Sequence, residues 1–272
     1  MLRCLYCDLD GTLLGPGASL LRDAEGAFTL LGVRALEACF RAGVEVVLIS
    51  GRRRANVAED ARLLGQRDYV FEAGSGLVLA GELEWLTGGL LPRDGKTISA
   101  QIAESGAPRL LLEHFAGRLE YHEPWHTDRE VSHLFRGLVD AFAADTLLRE
   151  HGLGEVRLVD NGVVHRRSAA LADLPQVRAY HLVPAAASKA AAVARHRRVR
   201  GLAAEECLAV GDSREDLGMA PAVQTFWLVA NAVEQDPTIR EALREHPNAR
   251  VAEGRHGEGV YEAVLTSLAE SR

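Results

Sequence analysis

Short apolar runs that alternate with helical patterns constrain the fold of this chain more than any other feature of its sequence. The runs are rich in Val, Leu, Ile and Phe and lack polar alternation, as expected for strands buried on both faces of a sheet. They lie at residues 2–7, 44–49, 69–71, 207–210 and 226–229. Helices are predicted at residues 27–42, 53–64, 188–199, 237–245 and 259–271. The alternation predicts an α/β core with a doubly wound, Rossmann-like parallel sheet.

The section at residues 85–179 has a different pattern and predicts a second module of the α+β class. Within it, Asn161-Gly162 is a strong signal for a hairpin turn. Core-like strands occur on both sides of this section, which favours an insertion over a tandem domain. We expect a discontinuous core, residues 1–84 and 180–272, with an α+β cap inserted between them. The predicted helices of the cap span residues 97–115 and 138–150, and its extended pieces span residues 118–122, 131–135 and 156–165.

The charge balance argues against a nucleic acid as partner. The 31 Lys and Arg residues are outnumbered by 38 Asp and Glu residues, which leaves a formal charge of −7, whereas binding to a phosphate backbone needs a basic surface. The longest apolar runs are far shorter than the roughly 20 residues that a membrane-spanning helix requires. We expect no secretory signal, because the first residues show no basic region followed by a long apolar region and a cleavage site. We therefore expect a cytoplasmic protein without a membrane segment, and no feature points to an obligate protein partner.

Two aspartates follow the first predicted strand, in the sequence Asp8-Leu9-Asp10-Gly11-Thr12. Side chains two apart in a strand face the same way, so Asp8 and Asp10 can converge at the carboxyl end, where ligands sit in open α/β sheets. Two carboxylates this close repel each other, and a divalent cation between them relieves the repulsion. Oxygen-rich sites of this kind select hard ions such as Mg²⁺. The position after a buried strand favours this function over a simple turn.

Polar residues also follow two other predicted strands. Ser50-Gly51 ends the second strand, where a hydroxyl and exposed backbone amides can hold phosphate oxygens. Gly211-Asp212 ends the strand at residues 207–210, and Asp216 follows shortly after it. Lys189, one of two lysines in the chain, begins a predicted helix, where an ammonium and the positive helix end together suit an anion. A surface loop explains one such cluster but not several at the same edge of a sheet.

Taken in order, Asp8-Leu9-Asp10-Gly11-Thr12, Ser50, Lys189 and Gly211-Asp212 with Asp216 resemble the four-motif signature of the haloacid dehalogenase superfamily of phosphatases. The insertion lies after residues 69–71 and before Lys189, which is similar to subfamily IIB. This subfamily comprises the Cof-like members, including sugar-phosphate and mannosyl-3-phosphoglycerate phosphatases. The resemblance covers the core, residues 1–84 and 180–272. The sequence departs from it at two positions where such relatives often have Asn, namely Ala73 and Glu215.

The resemblance implies a chemical role for each motif. Asp8 would attack phosphorus and form an aspartyl-phosphate, and Asp10 would act first as the acid and then as the base. Mg²⁺ would be held by Asp8, the main-chain carbonyl of Asp10 and Asp212, with support from Asp216. The groups that would bind the phosphate oxygens are Ser50, Gly51 and Lys189. The expected reaction is the hydrolysis of a small phosphorylated metabolite, with a sugar or polyol phosphate as the expected substrate.

Two alternatives come from the inserted module. His122-Glu123-Pro124-Trp125-His126 matches the H-E-x-x-H pattern of zinc proteases, but that pattern needs both histidines on one helical face, and Pro124 interrupts a helix. A phosphomutase would use the same aspartyl-phosphate and would need a second phosphate site. Arginines of the module could supply that site: Arg109, Arg118, Arg129, Arg136 and Arg157. The polar side chains expected to face the substrate are His122, His126 and Arg129.

Overall fold

The computed structural model describes residues 1–164 and 168–271, and its strands form two separate sheets. The strands are β1 (Cys4–Asp8), β2 (Glu45–Ile49), β3 (Tyr69–Phe71), β4 (Gly76–Leu79), β5 (Glu82–Trp85), β6 (Leu119–Tyr121), β7 (His133–Gly137), β8 (Val156–Val163), β9 (Arg178–Pro184), β10 (Cys207–Gly211), β11 (Thr225–Leu228) and β12 (Ala249–Val251). The helices are α1 (Leu31–Ala42), α2 (Arg54–Leu63), α3 (Ile98–Glu104), α4 (Ala107–His114), α5 (Ala141–Glu150), α6 (Lys189–Arg200), α7 (Arg214–Leu217), α8 (Ala230–Gln235), α9 (Ile239–Leu243) and α10 (His256–Glu270). His165, the last residue of the extended piece predicted at 156–165, lies outside the described residues.

The larger sheet has eight strands in the order β12-β11-β10-β1-β2-β3-β4-β5. The strands from β12 to β3 are parallel, and β4 and β5 continue the sheet as an antiparallel hairpin. From β1 the chain moves outward on one side through β2 and returns to the other side at β10. The β1 strand therefore lies at the switch point, where ligand crevices form in such sheets. The predicted α/β fold is confirmed.

The strand β1 is buried on both faces, as its unbroken apolar run predicts. Leu5 and Cys7 join a hydrophobic cluster that includes residues of α1 and α10. Tyr6 faces the opposite cluster, which includes Val193 of α6. Helices cover both faces of the sheet, so the inner strands reach solvent only at their ends. A polar residue at such an end can therefore contact a ligand.

The hairpin β4–β5 and the edge strand β12 were not apparent from the sequence pattern. Ala80-Gly81 connects β4 to β5 with both residues at positive φ, 51° and 90°, as a two-residue hairpin turn requires. Alanine is an unusual residue at such a position, so the turn carries no strong sequence signal. The short edge strand β12 has only three residues, which is too few for a clear periodic pattern.

The smaller sheet is antiparallel, in the order β6-β7-β9-β8. Its apolar residues pack with those of α3, α4 and α5 in one cluster. The prediction of a single helix at residues 97–115 is wrong, because the chain turns at Gly106, which has φ 83°. Pro108 then lies in the first turn of α4, where its missing N–H costs nothing.

The prediction of a hairpin turn at Asn161-Gly162 is also wrong. Both residues lie inside β8, where the register with β9 shifts between Asp160 and Val163, so the positive φ of Gly162 serves a bulge instead of a turn. The strand β9 pairs with both β7 and β8, and residue 179, the expected end of the insertion, falls within it. Among the described residues, no helix has the length and apolar character needed to cross a bilayer.

Candidate active site

A cleft of about 610 Å³ lies between the carboxyl edge of the larger sheet and the smaller sheet. The larger sheet contributes polar residues that follow β1, β2 and β10. The smaller sheet and its loops contribute side chains from the opposite wall. Lining residues that carry polar groups include Asp8, Asp10, Ser50, Arg129, Asn161 and Asp212. The cleft therefore brings together motifs that are up to two hundred residues apart in the sequence.

Lys189 lies at the centre of the acidic residues around this cleft and is fully buried. Its Nζ donates to Asp8 Oδ1 at 2.7 Å and to Asp216 Oδ1 at 2.6 Å, and it lies 3.4 Å from Glu215 Oε2. Burial alone would lower the pKa of Lys189, but the neighbouring carboxylates outweigh burial and hold this pKa well above its usual range. Lys189 is therefore a permanent cation in the site.

Three carboxylates form a group that fits a divalent cation. One oxygen from each of Asp8, Asp212 and Asp216 lies within 4.8 Å of the others. Burial raises the pKa of Asp8 to about 7, against the effect of Lys189, and burial with Asp8 and Asp216 raises that of Asp212. With Glu215, four acidic side chains surround one ammonium, and a hard cation would neutralise the excess negative charge.

Two features of the backbone allow this group of carboxylates to form. A β-carbon on Gly11, which has φ 85°, would overlap the carboxylate of Asp212, so only glycine lets the loop after β1 approach β10. Asp216 Oδ2 accepts hydrogen bonds from the N–H of Asp212 at 3.2 Å and from Ser213 Oγ at 2.6 Å. These bonds fix the carboxylate of Asp216 so that its other oxygen meets Lys189.

The side chain of Asp10 lies apart from this acidic group. Its two oxygens accept hydrogen bonds from Arg52 Nη2 at 2.5 Å and Arg52 Nε at 2.6 Å. The same guanidinium donates to Asp60 at 2.8 Å. Asp8 is buried whereas Asp10 is exposed. The two aspartates, which the strand pattern predicts to face the same way, therefore have very different surroundings.

The Ser50-Gly51 turn lies beside Asp8 at the end of β2. Ser50 is buried, and its Oγ accepts a hydrogen bond from the N–H of Arg52 at 3.1 Å. A β-carbon on Gly51 would lie 2.6 Å from His181 Nε2. Glycine at this position thus lets the smaller sheet pack closely over the turn.

The two departures from the family pattern have distinct surroundings. Glu215 Oε1 accepts a hydrogen bond from the N–H of Lys189 at 3.0 Å, and burial raises the pKa of Glu215 to about 7. Glu215 therefore holds the beginning of α6 against α7. Ala73 is buried with φ 54° and contacts the Ser50 turn through its backbone, donating its N–H to Ser50 O at 3.1 Å.

Of the three predicted cap contacts, His122 and Arg129 line the cleft. His126 lies outside the lining, because its ring packs on that of Tyr121 with centroids 4.9 Å apart. Residues 122–126 form turns and not a helix, so they lack the geometry that H-E-x-x-H needs to bind zinc.

The other arginines considered for a second phosphate site are placed elsewhere. Arg136 pairs with Glu120 at 2.6 Å, Arg157 donates to the carbonyl of Ala187 at 2.7 Å, and Arg109 lies on an exposed helix face near Glu113. Arg118 lies over the ring of Phe115. Among the described residues, only Arg129 of this set lines the cleft.

Asn161 and His181 are among the residues of the cleft wall that sequence reasoning missed. The bulge in β8 places Asn161 in the lining, and its Oδ1 is buried without a hydrogen-bond partner within the described part of the chain. His181 follows Ala179-Tyr180 in a buried strand, and burial, then Arg129 and Lys189, lower its pKa well below the usual value. A polar residue in a largely apolar strand was the available signal for His181.

Comparisons with known proteins agree on the fold, and several of the proteins that they find are named as phosphatases or hydrolases. A family model described as sucrose-6F-phosphate phosphohydrolase matches residues 174–266. A phosphoglycolate phosphatase of Methanoculleus marisnigri is 27% identical over 97% of this chain and 96% of its own length. The solved sucrose-phosphatase of Synechocystis sp. PCC6803, in complex with sucrose and phosphate, has a TM-score of 0.66 at 18% identity, over 98% of each chain. A haloacid dehalogenase-like hydrolase from Bacteroides thetaiotaomicron has a TM-score of 0.61 at 17% identity, over 98% of this chain and 99% of that one.

Proposed function

We propose that the chain is a phosphatase of the haloacid dehalogenase superfamily, a phosphoric monoester hydrolase, and that it hydrolyses a small phosphorylated metabolite through a phosphoryl group carried on Asp8. One observation carries this proposal. The buried carboxylate of Asp8 lies 2.7 Å from Lys189 Nζ, in a group with Asp212 and Asp216. This arrangement joins a nucleophile to the positive charge that an incoming phosphate needs.

In the first displacement, Asp8 attacks phosphorus and the bond to the alcohol oxygen breaks. Its partner Lys189 is placed to stabilise the negative charge on the phosphoryl oxygens, together with the Ser50 hydroxyl and the amide groups of the Ser50-Gly51 turn. In the second displacement, water attacks the phosphoryl group and Asp8 is released. The carboxylate thus performs the difficult attack on the ester, and water attacks only the more reactive acyl phosphate.

Proton transfer in both steps is assigned to Asp10. Its carboxylate is half-exposed at the mouth of the cleft and held by two hydrogen bonds from Arg52. From there it would give a proton to the leaving alcohol and later take one from the attacking water. Arg52 fixes the orientation of Asp10, and Asp60 fixes that of Arg52.

The acidic group fits Mg²⁺ in its donor atoms and in its charge. The residues that would hold the ion are Asp8 and Asp212, with Asp216 in support and the main-chain carbonyl of Asp10 as a further oxygen donor. When bound, the ion would neutralise charge on the phosphoryl group and on the carboxylates. Lys189 alone leaves most of that negative charge uncompensated.

Two substrate classes are supported. The curated relatives that span almost the whole chain are named phosphoglycolate phosphatases, which favours a phosphorylated hydroxy acid. Donors on the cleft wall, such as Arg129 and His122, suit its carboxylate. The sucrose-phosphatase match favours the second class, a sugar or polyol phosphate, for which the amide of Asn161 supplies hydrogen bonds to hydroxyls.

The test is phosphate release from phosphoglycolate, glycerol 3-phosphate, glucose 6-phosphate and sucrose 6-phosphate, each with Mg²⁺ and with excess chelator. We expect release from at least one ester, lost with chelator and lost in Asp8→Asn, which keeps the shape of the side chain but is a poor nucleophile. Transfer of the phosphoryl group to a second hydroxyl without free phosphate would indicate a mutase. Full activity in Asp8→Asn would contradict the proposal.

A further inference from the structure

The loop of Glu72, Ala73 and Gly74 after β3 contacts the turn at residues 50–52, the segment at residues 130–132 and the beginning of α6. We propose that Glu72 is a positioning residue, which orients the Ser50-Gly51 turn through its own backbone and through Arg129. The inference rests on the proposed function, in which this turn binds phosphate oxygens. It assigns a role to a carboxylate that takes no part in the chemistry itself.

The carboxylate of Glu72 holds the segment that precedes β7. Glu72 comes from the larger sheet and is fully buried. Its Oε1 accepts a hydrogen bond from the N–H of Glu130 at 2.9 Å. Its Oε2 accepts from the N–H groups of Val131 at 3.1 Å and Ser132 at 2.6 Å, and from Ser132 Oγ at 2.8 Å. A buried carboxylate with this many donors is strongly fixed, so the segment is anchored to the core at one point.

The anchored segment brings Arg129 onto the turn. The guanidinium of Arg129 is buried, with its Nε 3.7 Å from Glu72 Oε2 and 2.8 Å from Ser132 Oγ. Its Nη1 donates to the carbonyl of Trp125 at 3.1 Å, and its Nη2 donates to the carbonyl of Gly51. Burial lowers the pKa of Arg129, and the charge of Glu72 opposes that shift. The arginine is therefore held as a buried cation by the same carboxylate that anchors its backbone.

Three successive carbonyls of the turn are bonded to this assembly. Ser50 O accepts the N–H of Ala73 at 3.1 Å, Gly51 O accepts Arg129 Nη2, and Arg52 O accepts the N–H of Glu72 at 3.0 Å. In a planar trans peptide the N–H points opposite to the carbonyl. Fixing the carbonyl of Ser50 therefore fixes the N–H of Gly51, which would bind phosphate, and fixing the carbonyl of Gly51 fixes the N–H of Arg52, which donates to Ser50 Oγ. Donors oriented before the substrate arrives need no rearrangement during reaction.

A purely structural role for Glu72 makes a different prediction from a positioning role. If the carboxylate only holds the two sheets together, its loss lowers the stability but leaves the phosphate site of the folded enzyme unchanged. If it positions the turn, its loss weakens the affinity for inorganic phosphate, a ligand too small to need the cap wall. Phosphate affinity in the folded protein is therefore the measurement that separates the two roles.

The test compares Glu72→Gln, Ser132→Ala and the control Asp128→Asn by calorimetric titration with inorganic phosphate in the presence of Mg²⁺. Asp128 makes another ion pair between the two sheets, with Arg53, but is 85% exposed and does not touch the turn. We expect Glu72→Gln to weaken phosphate binding about tenfold or more and to raise KM for nitrophenyl phosphate more than it lowers kcat. Ser132→Ala should weaken phosphate binding less, and Asp128→Asn should change it by no more than about twofold.

Thermal unfolding establishes which variants are folded. Wild-type phosphate affinity in folded Glu72→Gln overturns the inference, and so does an equal loss in Asp128→Asn. If Glu72→Gln does not fold, Ser132→Ala decides, because it removes only the hydroxyl that links Glu72 to Arg129. A wild-type enzyme that binds phosphate but hydrolyses no ester would contradict the proposed function, whereas the comparison of phosphate affinities would still decide the role of Glu72.

Discussion

Gly74 packs directly on the carbonyl group of Ser188, the residue that precedes Lys189. A β-carbon on Gly74 would overlap the carbonyl carbon and oxygen of Ser188 and would lie 2.6 Å from the N–H nitrogen of Lys189. The loop after β3 therefore contacts the beginning of α6 as well as the Ser50-Gly51 turn. Lys189 and the Ser50-Gly51 turn would both bind phosphate, and the same short loop therefore aligns them.

The variant Gly74→Ala tests this contact. The new methyl must displace the beginning of α6, and φ 89° is unfavourable for alanine, so we expect a loss of about 3 kcal/mol in the free energy of unfolding and a clear fall in kcat/KM. The matched control is Gly81→Ala, because Gly81 has φ 90° but open space around it, so its loss should be about 1 kcal/mol with unchanged activity. Urea unfolding and steady-state kinetics measure both quantities. Equal losses in the two variants would show that backbone strain alone explains the effect.

The chemical motifs could be predicted because each depends on a local pattern. A strand that ends in Asp8, or one that is followed directly by Asp212, places this polar residue at the sheet edge whatever the rest of the chain does. The partners of Asp10 and Asp216 could not be predicted in the same way. Arg52 meets Asp10 through the end of β2, and Lys189 meets Asp216 through α6, and such pairings depend on the packing of whole elements.

The cleft wall shows where sequence reasoning reaches its limit. Asn161-Gly162 is a good turn sequence, but β9 pairs with β8 on both sides of it, so that the two residues form a bulge, because tertiary pairing overrides a local preference. Glu72 gave no signal, since an isolated acidic residue after a short strand has no pattern. The five hydrogen-bonding and ionic contacts of its carboxylate come from residues about sixty positions later in the chain.

Asp68 provides a test of stability that is separate from the active site. It lies at the amino end of β3 and is buried against His196, the N–H of Ala80 and Arg200. Burial alone would raise the pKa of Asp68, but these three partners hold it below its usual range. Because the folded-state pKa lies below the unfolded value, the stabilisation is complete above the unfolded pKa and is lost as the pH falls through the folded pKa.

We therefore expect Asp68→Asn to lower the free energy of unfolding by about 3 kcal/mol at pH 7, because the neutral amide gives up the charge-assisted hydrogen bonds that the buried carboxylate accepts from His196 and Arg200. The difference from wild type should shrink as the pH falls below about 4. Activity of the folded variant should be unchanged. Denaturant unfolding at several pH values, with the exposed Asp128→Asn as control, checks this. A difference that stays constant down to pH 3 would refute the linkage.

Asn161 is expected to select the substrate. Its Oδ1 is buried without a partner in the described part of the chain, so removing the side chain should cost the fold little. Asn161→Ala should raise KM for the natural substrate about tenfold, because one hydrogen bond to the substrate is lost. The KM for nitrophenyl phosphate should change less. Asn161→Asp separates the two substrate classes: it should repel the carboxylate of phosphoglycolate and weaken its binding beyond the alanine variant, yet still accept from a sugar hydroxyl. Better binding of phosphoglycolate to Asn161→Asp than to Asn161→Ala would exclude this contact.

The final prediction concerns the division of work between Asp8 and Asp10. Nitrophenolate leaves without protonation, so Asp10→Asn should still allow Asp8 to become phosphorylated by nitrophenyl phosphate. The second displacement needs a base for the attacking water, and the amide that replaces the carboxylate held by Arg52 cannot accept that proton. The phosphoenzyme should therefore accumulate. Mass spectrometry of an acid-quenched sample with Mg²⁺ should find one added phosphoryl group on the peptide that contains Asp8.

An alkyl phosphate ester should give much less of the phosphoenzyme than nitrophenyl phosphate does. The alkoxide of a sugar phosphate or of phosphoglycolate is a poor leaving group and needs the proton that Asp10→Asn lacks, so both displacements slow and much less adduct should form. Asp8→Asn is the control that should show no adduct with either substrate. Because Asp10 is exposed and contacts Arg52 instead of the buried acidic group, its loss should leave the phosphate site intact. Equal adduct from both esters, or none from either, would show that Asp10 is not the acid and base of this reaction.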